Sequence, residues 1–175
     1  MAEIRADVLT KVSAEVAETF VDAYYTALQG SRNTISSYYT PRKTLSDGRI
    51  VPVIVWNGNH IPDAAAMQKM FEETMPYTYY DVQSLDCDFV NTGLAKEAAT
   101  AANADVVSKK ELEQHSPVVV IVGGYVRLEE AREGPMRGFS ETFVLVPNEE
   151  KVAGKGKGKE GRAWLIQNQN FRYVV

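Results

Sequence analysis

The run Val53-Ile54-Val55-Trp56 is β-branched, ends in an aromatic residue, and is followed at once by Asn57-Gly58. Val and Ile suit a pleated, half-buried strand. Asn-Gly suits a two-residue turn whose central residues both need positive φ. The chain must therefore reverse at 57–58 with a strand already facing a core. The flanking segments restrict the fold further. Upstream, Val8, Val12, Val16, Phe20, Tyr24 and Leu28 recur every four residues. They form one apolar stripe on a helix over about 7–29, with Gly30 as its stop. Downstream, segments 77–90, 117–128, 138–147 and 163–175 read as four long strands.

Shorter signals fill the gaps. A second helix is predicted over 34–39, ended by Pro41. The strand before the turn spans 50–56, and Pro52 inside it demotes its first half to an edge or a bulge. A third helix is predicted over 62–75, with Ala66, Met67, Met70, Phe71 and Met75 on its apolar face and Pro76 as its stop. Gly123-Gly124 within a strand signal marks a bulge. Three helical segments followed mainly by long antiparallel strands give an α+β class, not alternating α/β. Two stretches interrupt the strands. Residues 91–116 are Ala-rich, with a short surface helix predicted over 95–102. Residues 151–162 contain Gly154-Lys155-Gly156-Lys157-Gly158-Lys159, too glycine-rich for regular structure. The expectation is one domain over 1–175 with inserted loops at about 91–116 and 151–162.

Composition narrows the function classes. With 175 residues and 45% hydrophobic content the chain can bury a real core. Its one cysteine, Cys87, excludes an internal disulfide, fits a reducing compartment, and reads as a small buried apolar side chain. No apolar run approaches the ~20 residues that span a membrane, and the charged residues of 1–10 do not make a secretory signal. Net charge is −4, which argues against nonspecific nucleic-acid binding by the whole chain. The charge is uneven, however. Lys151, Lys155, Lys157, Lys159 and Arg162 against Glu160 give +4 over 151–162, so the remainder carries −8.

The segments 20–26, 55–59, Asp86-Cys87, 138–146 and Phe171-Arg172, in that order, resemble the nuclear transport factor 2-like family over about 14–173. More narrowly, the chain resembles the small subunit of the heterodimeric nuclear mRNA export receptor, of the fungal mRNA transport regulator type. The resemblance implies a cone, a strongly bent antiparallel sheet wrapped around three helices, with the outer sheet face as partner surface. It implies a TAP- or Mex-type large subunit as the heterodimer partner, and phenylalanine-glycine nucleoporins reached through the heterodimer. It implies residence in the nucleus and at the nuclear pore, with shuttling to the cytoplasm. It places Arg172 in an intersubunit ion pair. Residue alternation agrees in one respect: Asn168, Asn170 and Arg172 share one face of the last strand, a polar set suited to a hydrogen-bonded interface. Glu141 and Phe143 on the preceding strand are the other interface candidates. Both loops exceed the family's minimal version.

The same cone hosts enzymes, so fold alone does not assign function. A homodimeric carrier for the small GTPase Ran and a cavity isomerase or dehydratase are the alternatives. Candidate acids and bases are His60, His115, Asp81, Asp86 and Asp88, and no set of them converges on a catalytic arrangement. No cofactor motif, phosphate loop or metal-ligand spacing is present, and the expectation is a non-catalytic protein. Tyr24, Tyr25, Tyr38, Tyr39, Tyr77, Tyr79 and Tyr80 are not interleaved with basic residues as an RNA platform requires, so core or interface packing is the better reading. A weak RNA contact through Lys151, Lys155, Lys157, Lys159 and Arg162 is a further expectation. Deleting 154–161 removes three of these cations. RNA affinity of the heterodimer should then fall, and its log–log salt slope should flatten by about 2, at ~0.7 per contact on single strands. Filter binding across a salt series checks this, and an unchanged slope would leave the loop merely solvated.

Overall fold

The computed structural model describes residues 1–128, 134–152 and 162–174. Helix α1 (Ala6–Gly30) carries the predicted stripe. Val12, Val16, Phe20, Tyr24 and Leu28 are all buried. It stops where the Ser31 amide turns back to the Ala27 carbonyl at 2.9 Å. A 3-10 helix (Arg32–Tyr38) follows where an α-helix over 34–39 was expected. Next come β1 (Lys43–Thr44), β2 (Ile50–Val51), β3 (Val53–Trp56) and β4 (Asn59–Ile61). The expected continuous strand over 50–56 is cut at Pro52. β2 pairs with β1 in a separate two-stranded sheet, while β3 joins the main one. Pro52 has no N–H to offer the ladder, so pairing cannot run through it. Asn57 and Gly58 take φ of 46° and 83°, as the hairpin turn requires.

Helix α2 (Ala64–Lys69) is capped by Asp63, whose carboxylate accepts the Ala66 amide at 2.7 Å. It passes into a π-helical turn (Met70–Thr74), so the predicted apolar face over 62–75 is delivered in two pieces. The main sheet is completed by β5 (Tyr79–Phe89), β6 (Val118–Arg127), β7 (Arg137–Pro147) and β8 (Trp164–Tyr173). A short helix, α5 (Glu149–Val152), follows β7. The strand order is β4-β3-β8-β7-β6-β5. Every pairing is antiparallel except β3 with β8, which is parallel. The sheet is therefore mixed rather than wholly antiparallel. The three reversals after β5 return β8 in the direction of β3.

The register of β5 shifts between Val82 and Ser84, opposite Gly123 and Gly124. A Cβ on Gly124 would lie 2.1 Å from the Asp81 carbonyl oxygen, so only glycine admits the bulge there.

Segment 91–116 folds into α3 (Gly93–Ala101) and α4 (Lys109–His115). The predicted surface helix over 95–102 is not merely a surface helix, since Ala95 and Ala99 are fully buried. α4 was not foreseen, although Ser108-Lys109-Lys110-Glu111 spells its capping box. Glu3 pins the N-terminus to this segment: its amide donates to Asp105 O and its carbonyl accepts from Val107 N, both at 2.9 Å. Among the described residues no helix is long and apolar enough to cross a membrane.

Arg32 closes the helical side. Its guanidinium donates to the carbonyls of Leu28 (2.9 Å), Phe71 (2.6 Å), Met75 (2.6 Å) and Pro76 (2.5 Å), and lies over the Phe71 ring. These carbonyls end α1 and the π turn, where no helical amide remains to satisfy them. Arg32→Ala should cost about 3 kcal/mol, given ~1.5–3 kcal/mol for a hydrogen bond to a charged group. Arg32→Lys should recover less than half, because an ammonium cannot span the four acceptors. Urea unfolding of the three proteins checks this.

Candidate functional site

Strand alternation gives the sheet two unlike faces. On the concave face, β7 turns Phe139, Glu141, Phe143 and Leu145 inward, and all are buried. β8 turns Gln169 and Phe171 inward beside them. Trp56 stacks on Phe171 at 4.0 Å between centroids, and Tyr25 stacks on Tyr80 at 4.4 Å. Phe20 and Tyr24 of α1 meet Phe143 edge-on at 5.4 and 5.5 Å. Aromatic rings thus fill much of the space between α1 and the concave face of the sheet.

A polar network runs through these rings. The Tyr25 hydroxyl donates to Glu141 Oε1 at 2.8 Å, and Gln169 Nε2 donates to Glu141 Oε2 at 2.9 Å. Tyr39 donates to Gln169 Oε1 at 2.5 Å, and the Tyr24 hydroxyl bridges Tyr39 (2.7 Å) and Gln169 Nε2 (3.0 Å). No cation pairs with Glu141 among the described residues. Burial raises its pKa to about 7, against the lowering effect of its Gln169 and Tyr25 hydrogen bonds. Burial likewise raises the phenols of Tyr25, Tyr39 and Tyr80 well above their ordinary value.

Two expected interface residues are corrected here. Glu141 and Phe143 are fully buried in the interior, not on the outer face. The register explains it: Glu141 pairs with Phe171 and Phe143 with Gln169, so they share the inward parity opposite to Arg172. The alternation Phe139-x-Glu141-x-Phe143-x-Leu145 was the signal that could have placed Glu141 inside.

The outer face carries the other parity. One row reads Asp88, Val119, Val144, Asn168, Val53, and the next reads Asp86, Ile121, Thr142, Asn170, Val55. A third places Ser84, Gly123, Ser140 and Arg172 together. Ile121 is 44% and Tyr125 50% exposed. Asn170 and Arg172 are exposed and Asn168 is half-buried. Arg172 makes no ion pair among the described residues. Aliphatic, amide and guanidinium groups thus share one uncovered surface.

The remaining candidates scatter. His60 is exposed on β4 and His115 ends α4. Asp86 and Asp88 spend a carboxylate oxygen each on the neighbouring amides of Cys87 (2.9 Å) and Phe89 (2.8 Å). Cys87 is half-buried rather than buried, and burial raises its thiol pKa. Of the tyrosines, Tyr24, Tyr25, Tyr38, Tyr39 and Tyr80 pack in the core, while Tyr77 and Tyr79 are exposed. Among the described residues no cluster of three or more metal-ligating side chains forms. Of the basic set, Lys155, Lys157 and Lys159 lie outside the described residues. Lys151 ends α5, and Arg162 is held against Tyr38, its guanidinium carbon 3.4 Å from the ring centroid.

No protein-family model matches the chain. Among curated proteins it is similar to NTF2-related export protein 1 of Bos taurus, 22% identical over 173 residues, or 99% of this chain and 96% of that protein. NTF2-related export protein 2 of Homo sapiens is 23% identical over 161 residues, 92% and 87% of the two chains. Among solved structures, the Chaetomium thermophilum Mex67 NTF2-like domain complexed with Mtr2 superposes with a TM-score of 0.69 at 20% identity, covering 93% of this chain and 99% of that one. A structure of Mtr2 gives 0.67 at 18% identity with the same coverage. A putative scytalone dehydratase from Novosphingobium aromaticivorans gives 0.54 at 12% identity, covering 98% and 89%.

The buried carboxyl makes stability pH-dependent. The folded-state pKa of Glu141 lies above the unfolded value, so folding favours its protonated form. Its contribution is complete below about pH 4.5 and is lost as pH rises through about 7. The loss should be of order 3 kcal/mol at ~1.4 kcal/mol per pH unit. Glu141→Gln should remove this slope, measurable as urea midpoints between pH 4.5 and 7.5. The bent sheet, its strand order and these superpositions together make this the nuclear transport factor 2-like fold.

Proposed function

We propose that this chain is a non-catalytic heterodimerisation subunit of a nuclear mRNA export receptor. It pairs through its outer sheet face with the related domain of a Mex-type large subunit and stabilises that domain. The observation that carries the reading is the uncovered face centred on Ile121, Thr142, Asn170 and Arg172, backed by an interior that side chains already fill. Aliphatic groups supply area, amides supply registered hydrogen bonds, and Arg172, which makes no ion pair among the described residues, can meet a partner carboxylate. The similarity to export proteins, and to a chain of the solved complex between the Mex67 NTF2-like domain and Mtr2, supports a partner of this same fold.

In this reading the chain is one domain with two insertions. It works in the nucleus and at the nuclear pore, and reaches phenylalanine-glycine nucleoporins through the heterodimer. Packing supports the non-catalytic role: Glu141, among the described residues the one carboxyl buried in the interior, has both oxygens occupied by Tyr25 and Gln169. The RNA contact rests on Lys151 and the three lysines that follow it. Arg162 is fixed in place, stacked on Tyr38 and hydrogen-bonded through Nε to Ser37.

Coexpression with the NTF2-like domain of the large subunit should give a stable heterodimer. Arg172→Glu should weaken it by about 2–5 kcal/mol, the cost of stranding a partner charge. Ile121→Asp should do the same, while Glu141→Gln should leave pairing intact. Calorimetry on the purified pair checks all three. Unchanged affinity for Arg172→Glu removes that residue from the interface. A tight homodimer that ignores the large subunit would favour the Ran-carrier alternative.

A further inference from the structure

A second site lies at the other end of the last strand. α1, α4, the 3-10 helix and the start of β8 enclose a cleft of about 370 Å³. Its floor is apolar, from Phe20, Ala23 and Trp164, and its rim carries Lys109, Glu113 and Arg162. α4 belongs to the segment read as an insertion, so that segment builds one wall. Trp164 and Arg172 are eight residues apart on β8, roughly 26 Å at ~3.3 Å per residue. The cleft is therefore remote from the Arg172 end of the face proposed for pairing.

The two walls are electrostatically unlike. Lys109 is held by Glu15 at 2.5 Å and by Glu113 at 3.7 Å, so that wall carries one excess negative charge. Across the cleft, Arg162 is pre-organised. Its guanidinium lies over the Tyr38 ring at 3.4 Å, and its Nε donates to Ser37 Oγ at 3.0 Å. Neither terminal amino group of Arg162 has an acceptor among the described residues, and it makes no ion pair there. A fixed guanidinium with both terminal nitrogens open is a receptor for a planar carboxylate. The opposite wall repels the same group and so sets its orientation.

We propose that this cleft binds a partner peptide in which a large apolar side chain is flanked by an acidic residue. The apolar side chain enters between Phe20 and Trp164, and the carboxylate pairs with Arg162. A chain ligand is favoured over a free small molecule because the cleft offers one charged anchor on an apolar floor. Several linked contacts must then supply the affinity.

The test uses the full chain and fluorescein-labelled Gly-Ser-Asp-Phe-Asp-Ser-Gly amide, followed by anisotropy. Saturable binding is expected, weaker by about tenfold or more when Asn replaces both Asp residues or Ala replaces Phe, each contact being worth ~1.4 kcal/mol or more. Arg162→Gln should weaken the Asp peptide by a similar factor and leave the Asn peptide unaffected. Thr19→Trp, at an exposed α1 position lining the cleft, should block binding without disturbing the core. Arg172→Glu should leave peptide binding unchanged, which separates this site from the pairing face. No saturation by about 1 mM, the weak limit of ~−4 kcal/mol, would overturn the proposal. So would equal affinity for the three peptides, insensitivity to Arg162→Gln, or loss of binding in Arg172→Glu.

Discussion

The buried carboxyl of Glu141 holds the two halves of the fold in one arrangement. Its two oxygens accept from Tyr25 on α1 and from Gln169 on β8, while Gln169 also engages Tyr24 and Tyr39. One polar cluster thus connects the long helix, the end of the 3-10 helix and the two central strands. In a low-dielectric interior such a cluster tolerates little misplacement, because each lost partner strands a buried polar atom. Aromatic packing alone would let α1 slide along the sheet; directional hydrogen bonds fix its register. The cost is a carboxyl that burial inclines toward the neutral form, against the pull of its own hydrogen bonds, so the fold loses stability as the group ionises.

Once the interior is filled in this way, the outer face becomes the available working surface of the sheet. The same alternation that sends Phe139, Glu141 and Phe143 inward leaves Ser140, Thr142 and Val144 outward, beside Arg172, Asn170 and Asn168. The space between α1 and the sheet is given to tyrosine and phenylalanine rings. What remains outward is a face of β-branched and amide side chains, suited to meeting another sheet. Arg32 contributes from the far side by satisfying the carbonyls where α1 and the π turn end, so the helical layer stays seated against the sheet.

Segment 91–116 is more than a connection between strands. Its capping box and its buried Ala95, Ala99 and Leu112 make it a packed element, secured by the N-terminal strand pairing at Glu3. Having packed, it places Lys109 and Glu113 across from Arg162 and creates a cleft that neither segment shows alone. Of the basic residues read along 151–162, Arg162 lines this cleft.

Local periodicity determined much by itself. The four-residue stripe from Val8 to Leu28 specified α1, Asn57-Gly58 specified its turn, and Gly123-Gly124 specified where the sheet would bulge, whereas Pro52 signalled only an edge or bulge where the structure breaks the strand between two sheets. The first three depend on backbone sterics or on one residue's own neighbours, so each was legible without knowing the fold. The parity of Arg172, Asn170 and Asn168 was legible in the same way, because side chains alternate along any strand. The inward parity of Phe139, Glu141, Phe143 and Leu145 is legible in the alternation of β7 itself, but its register against β8 is not, since that depends on a pairing between distant segments. The parallel β3–β8 pairing, the four carbonyls converging on Arg32 and the cleft beneath Arg162 were likewise decided only in three dimensions. Each is made by groups far apart in the chain, and no local propensity encodes their meeting.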